Sequence, residues 1–322
     1  MNTYPSPLID INGKETYIDR IKAEGWLPSA FWKEEERCDY IVTEHLKEIW
    51  AIELDLYREF VRVCQKYGLR WFGIGGTMLG AVRHQGFIPW DDDMDVAMPR
   101  EDYEKLKNLA AEFSAPYFLQ SPDTDPEYGY SFMKLRNSYT TCYIEKLKNC
   151  KFNQGMFLDI FPIDKVTDED YVEQRATLLR YILANSARMK TCIDNPSPSD
   201  KEQIARYLIE DKSYREIYEL CEHEAMKHYH EETPFRALAV FLAYSDNRVK
   251  WPTSTFNNVV EIPFEIDDIK MPIPAGWKEI LRINYGDFMK YPPEEQRGTI
   301  HSTLSFLPRI PYHRFLKIKE TI

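Results

Sequence analysis

Four acids fall within five positions of this sequence: Asp91, Asp92, Asp93 and Asp95. An acidic cluster is ordinarily a solvated loop, but this one is set in an apolar frame. Phe87-Ile88-Pro89-Trp90 precedes it, and Met94, Val96, Ala97 and Met98 are interleaved with it or follow. Read as a strand, Asp93–Ala97 turns Asp93 and Asp95 to one face and Met94 and Val96 to the other. Two carboxylates on one face repel, and a hard divalent cation resolves the repulsion. Mg²⁺ is typically held by one or two carboxylates together with phosphate oxygens of a substrate. The pattern points to Asp93 and Asp95 as ligands of Mg²⁺ or Mn²⁺.

Upstream, Gly75-Gly76-Thr77 follows a short apolar strand, Arg70–Ile74, and precedes a short helix read over Met78–Arg83. Glycines there let backbone approach a ligand closely, and a helix start favours an anion. The spacing does not match the dinucleotide fingerprint, and no Walker lysine follows. Downstream, Asp159 is the single charge in Gly155–Pro162 and shares a strand face with Phe157 and Phe161. A lone buried carboxylate is costly unless paired or metal-bound. Asp159 is therefore either the third carboxylate of a metal site or the partner of Lys134 or Arg136. Asp164, just past Pro162, reads as a turn or helix-start residue. Lys134 and Arg136 alternate onto one strand face, and Arg83 and His84 lie between the glycine turn and the aspartates. As a set, these cations suit a diphosphate.

The elements that must position these groups are legible in outline. Glu44–Tyr67 carries an apolar stripe at three- and four-residue steps and ends at Gly68, which predicts a long helix. A second helix is expected after Arg100, with Leu106, Leu109, Ala110 and Phe113 on one face and Pro116 as its stop. Tyr130–Arg136 and Gly155–Phe161 read as strands, so the core is expected to be α/β or α+β. Met1–Trp32 shows no periodicity and reads as a lead-in arm within an N-terminal segment 1–43. A catalytic core over 44–165 and a mostly helical C-terminal region over 166–322 complete the expected organisation. In that region a helix is expected from Thr167–Asp170 to about Lys190, another from about Lys201 to His230, and an aromatic, proline-rich tail from Trp251 packing back on the core.

Composition narrows the class. The chain has 322 residues with 43% hydrophobic and 29% charged, an ordinary globular balance. Its formal charge of −11 argues against a nucleic-acid partner, which needs clustered cations. No apolar run approaches the ~20 residues of a membrane span, and Met1–Lys14 lacks a basic segment followed by an apolar one, so a cytoplasmic protein with reduced thiols is expected. The cysteines include no C-x-x-C pair. His223-Glu-Ala-Met-Lys-His228 has one residue too many for a zinc-protease helix motif, because five residues turn about 500° and point the imidazoles apart.

The block GGTMLGAVRHQGFIPWDDDMDVAMPREDYEKL resembles the LicD family of phosphotransferases, a branch of the nucleotidyltransferase superfamily related to fukutin. Ile52-Glu53-Leu54, KLRNS, GMFLDIFPID and the late YGDFMKYPPEEQR share the resemblance. It implies an α+β nucleotidyltransferase-like fold, a mixed sheet with flanking helices and a helical C-terminal elaboration. It implies a metal site at Asp93 and Asp95 with Asp159 as third carboxylate or as base. It also implies transfer of a phosphorylated alcohol, phosphocholine first, from a CDP-linked donor to a hydroxyl of a cell-surface glycan such as lipopolysaccharide, capsule or teichoic acid. Gly75, Gly76, Thr77, Arg83, His84, Lys134 and Arg136 would then bind substrate, and the enzyme would work in the cytoplasm or peripherally at the inner membrane face. Glycerol-, ribitol- and ethanolamine-phosphate are the alternative cargoes, and a non-catalytic glycan- or nucleotide-binding member of the fold is a remoter one. Tyr285–Tyr291, being aromatic, is the candidate for part of the alcohol pocket.

Overall fold

The computed structural model describes residues 16–126, 128, 130–144, 152–167, 212–238, 250–298 and 304–319. The expected helix up to Lys190, beyond its start at Thr167, the first part of the one from Lys201, and Cys150 and Cys192 lie outside the described residues.

The chain's first described element corrects the lead-in arm. Helix α1 (Tyr17–Glu24) starts in a reciprocal capping box between Thr16 and Asp19, buries Tyr17, Ile18 and Ile21, and stops at Gly25. Eight residues are barely two turns, too few for a stripe to show in sequence. Strands β1 (Glu35–Arg37) and β2 (Tyr40–Val42) form a hairpin. Helix α2 spans Glu44–Tyr67 as expected. Thr43 caps its N-terminus by accepting from the Leu46 amide, and Gly68 closes it in the left-handed conformation. Its buried residues include Lys47, Glu53 and Asp55 besides the apolar stripe, because this helix lies against the sheet with little of its surface free.

The sheet is mixed. Strand β3 (Phe72–Gly73) leads into helix α3 (Gly75–His84), which returns to β4 (Asp95–Pro99) antiparallel to β3. Helix α4 (Arg100–Lys107) follows at once. It is shorter than read from Leu106–Phe113: Ala110–Glu112 forms a separate 3-10 turn. Strands β5 (Tyr117–Gln120), β6 (Met133–Asn137), β7 (Thr141–Ile144) and β8 (Met156–Val166) come next. β8 is the axis. It runs parallel to β4, antiparallel to β6, and its far end is antiparallel to β9 (Phe235–Ala237). Every residue from Met156 to Asp164 is buried, as expected for a strand covered on both faces. Asp164 is not the turn residue read from sequence. It belongs to β8 and accepts from Arg100 Nε at 2.7 Å and Nη2 at 2.9 Å, locking the strand to the start of α4.

The C-terminal region adds strands to the core as well as helices. Helix α5 (Tyr214–Ala225) precedes β9, which pairs with β10 (Trp251–Pro252). A hairpin of β11 (Val259–Phe264) and β12 (Ile266–Pro274), helix α6 (Trp277–Tyr285), β13 (Leu304–Leu307) and helix α7 (Tyr312–Lys319) follow. β13 pairs with β7, so the C-terminal region is hydrogen-bonded to the central part of the chain. No described helix is long and apolar enough to cross a membrane.

Candidate active site

The start of α3 is packed tightly against the acids. A Cβ on Gly76 would lie 2.7 Å from Asp91 Oδ2, and one on Gly75 would lie 3.4 Å from Asp95 Oδ2. Gly75 also has φ +57°, a conformation that disfavours side chains. The helix is longer than read, taking both glycines into its first turn. Thr77 does not reach outward: its Oγ1 accepts from the Asp95 amide at 2.8 Å, and the Ile74 amide donates to the Asp95 carbonyl at 3.2 Å. The α3 start thereby clamps the first residue of β4.

The loop bearing Asp91–Asp93 is held from two sides. Trp50 of α2 stacks on Phe87, centroids 4.7 Å apart and rings 6° from parallel, and donates Nε1–H to the Asp91 carbonyl at 2.9 Å. From the other side, Glu265, in the β11–β12 turn, donates its amide to the Gln85 carbonyl at 2.7 Å. Its carboxylate accepts from the Phe87 amide at 3.3 Å and pairs with Arg37 and Lys47. β4 begins at Asp95, so Asp93 belongs to the extended lead-in and not to the strand itself. The Asp159 amide nevertheless donates to the Met94 carbonyl, which carries the pairing back toward Asp93.

These groups form the floor of a cavity of about 950 Å³ lined by Gly75, Gly76, Asp91, Asp93 and Asp95. Carboxylate oxygens of Asp91, Asp92 and Asp93 lie within 4.8 Å of one another. Asp95 faces Asp159 across the β4–β8 register. Desolvation, then Asp93 and Asp159, push the Asp95 carboxyl well above its ordinary range. Beneath the floor lies Glu53 of α2, fully buried, with neither carboxylate oxygen hydrogen-bonded. Burial first, then the charges of Asp93, Asp159 and Asp92, hold Glu53 well above its ordinary value. Lys134, opposite Asp159 on β6 and ion-paired with it, offsets this field at both Glu53 and Asp95. An orphaned buried carboxylate beside a trio of clustered ones is a hard-oxygen donor set short of positive charge. It fits a divalent cation.

The structure brings Gly75, Gly76, Asp93 and Asp95 together in one cavity, with Asp159 and Lys134 directly behind. Arg83 lines the same cavity on another wall, with Nη1 donated to the Phe288 carbonyl at 2.9 Å and Nε to His84 Nε2 at 2.9 Å. His84 stacks on Tyr291 with centroids 5.6 Å apart, and burial, then Arg83 and Arg37, pull it down to about 4. It is a neutral support for that wall and not among the residues that line the cavity. Arg136 is not brought to the lining: its Nε donates to Gln120 at 2.7 Å and its Nη1 to the Gly155 carbonyl at 2.7 Å. Tyr285, Phe288 and Tyr291, the expected aromatic segment, do line the cavity and are joined by Trp90. Sequence reasoning missed Glu53 and Asp91 as members of the floor. For Glu53 the signal was a lone acid between Ile52 and Leu54 in the most apolar stretch of α2.

A glycine helix start, an Asp-x-Asp at the head of the next strand and an acid on its parallel neighbour form the arrangement that the resemblance implies. Comparison with known proteins agrees. Residues 68–191 match the nucleotidyltransferase domain of the LicD/FKTN/FKRP family. The chain is 26% identical over 264 residues to the lipopolysaccharide cholinephosphotransferase LicD of Haemophilus influenzae, covering 80% of this chain and 96% of that protein. It is also similar, at 40% identity over 52 residues, to the human ribitol 5-phosphate transferase FKRP, of which that stretch is 10%.

Proposed function

We propose that the protein is a metal-dependent phosphotransferase that moves phosphocholine from a CDP-linked donor to a hydroxyl of a cell-surface glycan. The observation that carries the reading is a single cavity lined both by the carboxylates Asp91, Asp93 and Asp95 and by the aromatic rings of Trp90, Tyr285, Phe288 and Tyr291. The floor suits a metal-bound diphosphate, and the wall suits a quaternary ammonium, which is attracted to aromatic faces. Similarity to a cholinephosphotransferase over nearly that protein's whole length supports the same cargo.

Asp91, Asp93, Asp95 and Glu53 would hold Mg²⁺ or Mn²⁺, which when bound neutralises diphosphate charge and polarises the phosphorus. The chain's own groups do the rest. The α3 start presents backbone N–H groups toward the donor phosphates, while Asp159 and Lys134 fix Asp95 from behind. The acceptor oxygen attacks phosphorus in line and its proton passes to a carboxylate of the floor. The phosphoanhydride bond breaks and CMP leaves.

Thermal stabilisation of the Mg²⁺-loaded protein by a series of CDP esters tests the cargo. CDP-choline should shift the melting temperature more than CMP, CDP-glycerol or CDP-ribitol at equal concentration. A larger shift with CDP-ribitol would move the assignment to the chemistry named for the human relative and leave the metal site standing.

A further inference from the structure

A second cavity opens at the other end of the sheet. It has a volume of about 370 Å³. Its lining includes Pro99 at the tail of β4 and Ile163–Lys165 near the tail of β8, whereas the carboxylate floor is at Asp95. Four residues of strand separate the two ends, about 13 Å.

Two cations face each other there, and the two acids that share the lining, Glu101 and Asp164, are already paired with Arg70 and Arg100. Lys165 on β8 is the direct cross-strand partner of Arg236 on β9, and both side chains line the cavity. Like charges directly opposite one another destabilise a strand pair. The Arg236 guanidinium makes no hydrogen bond or ion pair among the described residues, and burial pulls it below the ordinary guanidinium range against the more distant charges of Glu232, Glu101 and Asp164. Lys165 donates to the Tyr229 backbone carbonyl at 3.0 Å and makes no ion pair among the described residues. The neighbouring cations are different. Arg100 is saturated by Asp164, Glu104 and Glu222, and Arg70 by Glu101 and Asp102. Beside the unpaired cations, Thr253 and Asn257 supply polar groups and Phe72 and Phe256 an aromatic floor.

We propose that this cavity binds the phosphate of a small phosphate monoester, with Arg236 and Lys165 as its charge partners and the aromatic floor beneath the organic part. Nothing in this inference depends on the donor or cargo of the catalytic site. An oxyanion with several oxygens meets a guanidinium and an ammonium together and removes the cross-strand repulsion.

The test uses the full-length protein in excess chelator, so that the acidic catalytic floor repels anions. Calorimetric titration with inorganic phosphate and with glycerol 3-phosphate should give saturable 1:1 binding, with the monoester tighter. Arg236→Ala and Lys165→Gln should each weaken binding at least tenfold, while Lys134→Met, at the catalytic end, should not. In buffer free of phosphate and sulfate, Arg236→Ala should melt no lower than the parent, because a repulsion is removed, and phosphate should raise the melting temperature of the parent alone. Absence of saturable binding at millimolar phosphate, or equal binding by parent and both variants, would overturn the proposal. Tighter binding of inorganic phosphate than of the monoester would overturn the part that concerns the aromatic floor.

Discussion

Asp95 and Asp159 stand directly opposite each other on parallel neighbouring strands, and Lys134 stands opposite Asp159 on its other side. The row therefore reads acid, acid, base across three strands. The pairing of Asp159 with Lys134, one of two readings open from sequence, is present, and it coexists with a place behind the acidic floor. Asp159→Asn would leave a buried ammonium without its partner. In metal-free buffer it should lose about 3–5 kcal/mol of stability by denaturant unfolding. Unchanged stability would show that the ion pair is not structural.

Glu53 should show the opposite sign. Its carboxyl is raised well above the ordinary 4.5, so above that pH the folded state holds a proton that the unfolded state has released. Stability from this group is lost as pH rises. In chelator, Glu53→Gln should therefore be more stable than the parent at pH 7.5, and the difference should vanish toward pH 4. With Mg²⁺ the order should reverse, because the variant gives up a ligand oxygen. Unfolding curves across pH, with and without metal, read both signs.

Gly75 and Gly76 separate backbone strain from site geometry. Gly75→Ala places a side chain at φ +57° and should cost about 1–2 kcal/mol in stability. Gly76→Ala has no such backbone penalty, but its methyl would meet Asp91 Oδ2 at 2.7 Å. It should leave the melting temperature near that of the parent while weakening Mg²⁺ binding at least tenfold. A Gly76→Ala protein with parental metal affinity would show that Asp91 is dispensable to the floor.

The aromatic wall makes a prediction about cargo alone. Tyr291→Leu removes an exposed ring from the cavity. It should weaken CDP-choline by about 0.5–2 kcal/mol and leave CMP affinity unchanged in parallel titrations. Equal losses for both ligands would place the ring against the nucleotide.

Legibility followed the length and periodicity of each signal. Helix α2 could be delimited to the residue because its stripe is long and Gly68 marks its end; the Thr43 cap appears only in the structure. The Asp93–Asp95 pair and the glycine start were readable because acids in an apolar frame and paired glycines are locally conspicuous. Glu53 was hidden because its role depends on a sheet far away in sequence, on which α2 lies. Arg136 was misleading for the same reason: alternation gives its face, but only the fold shows Gln120 and the Gly155 carbonyl occupying its donors. Helix α1 and the short strands of the C-terminal region are too brief for periodicity to register.

The central claim is that this acidic floor holds a divalent cation that receives a CDP-linked donor. Calorimetric titration of CDP-choline into the parent protein and into Asp95→Asn, each with Mg²⁺ and with excess chelator, tests it most directly. Binding to the parent with Mg²⁺ should be saturable and at least tenfold weaker in chelator, and Asp95→Asn should show no response to metal. Binding of equal strength to the parent in chelator, or a response to Mg²⁺ in Asp95→Asn as large as the parent's, would contradict it.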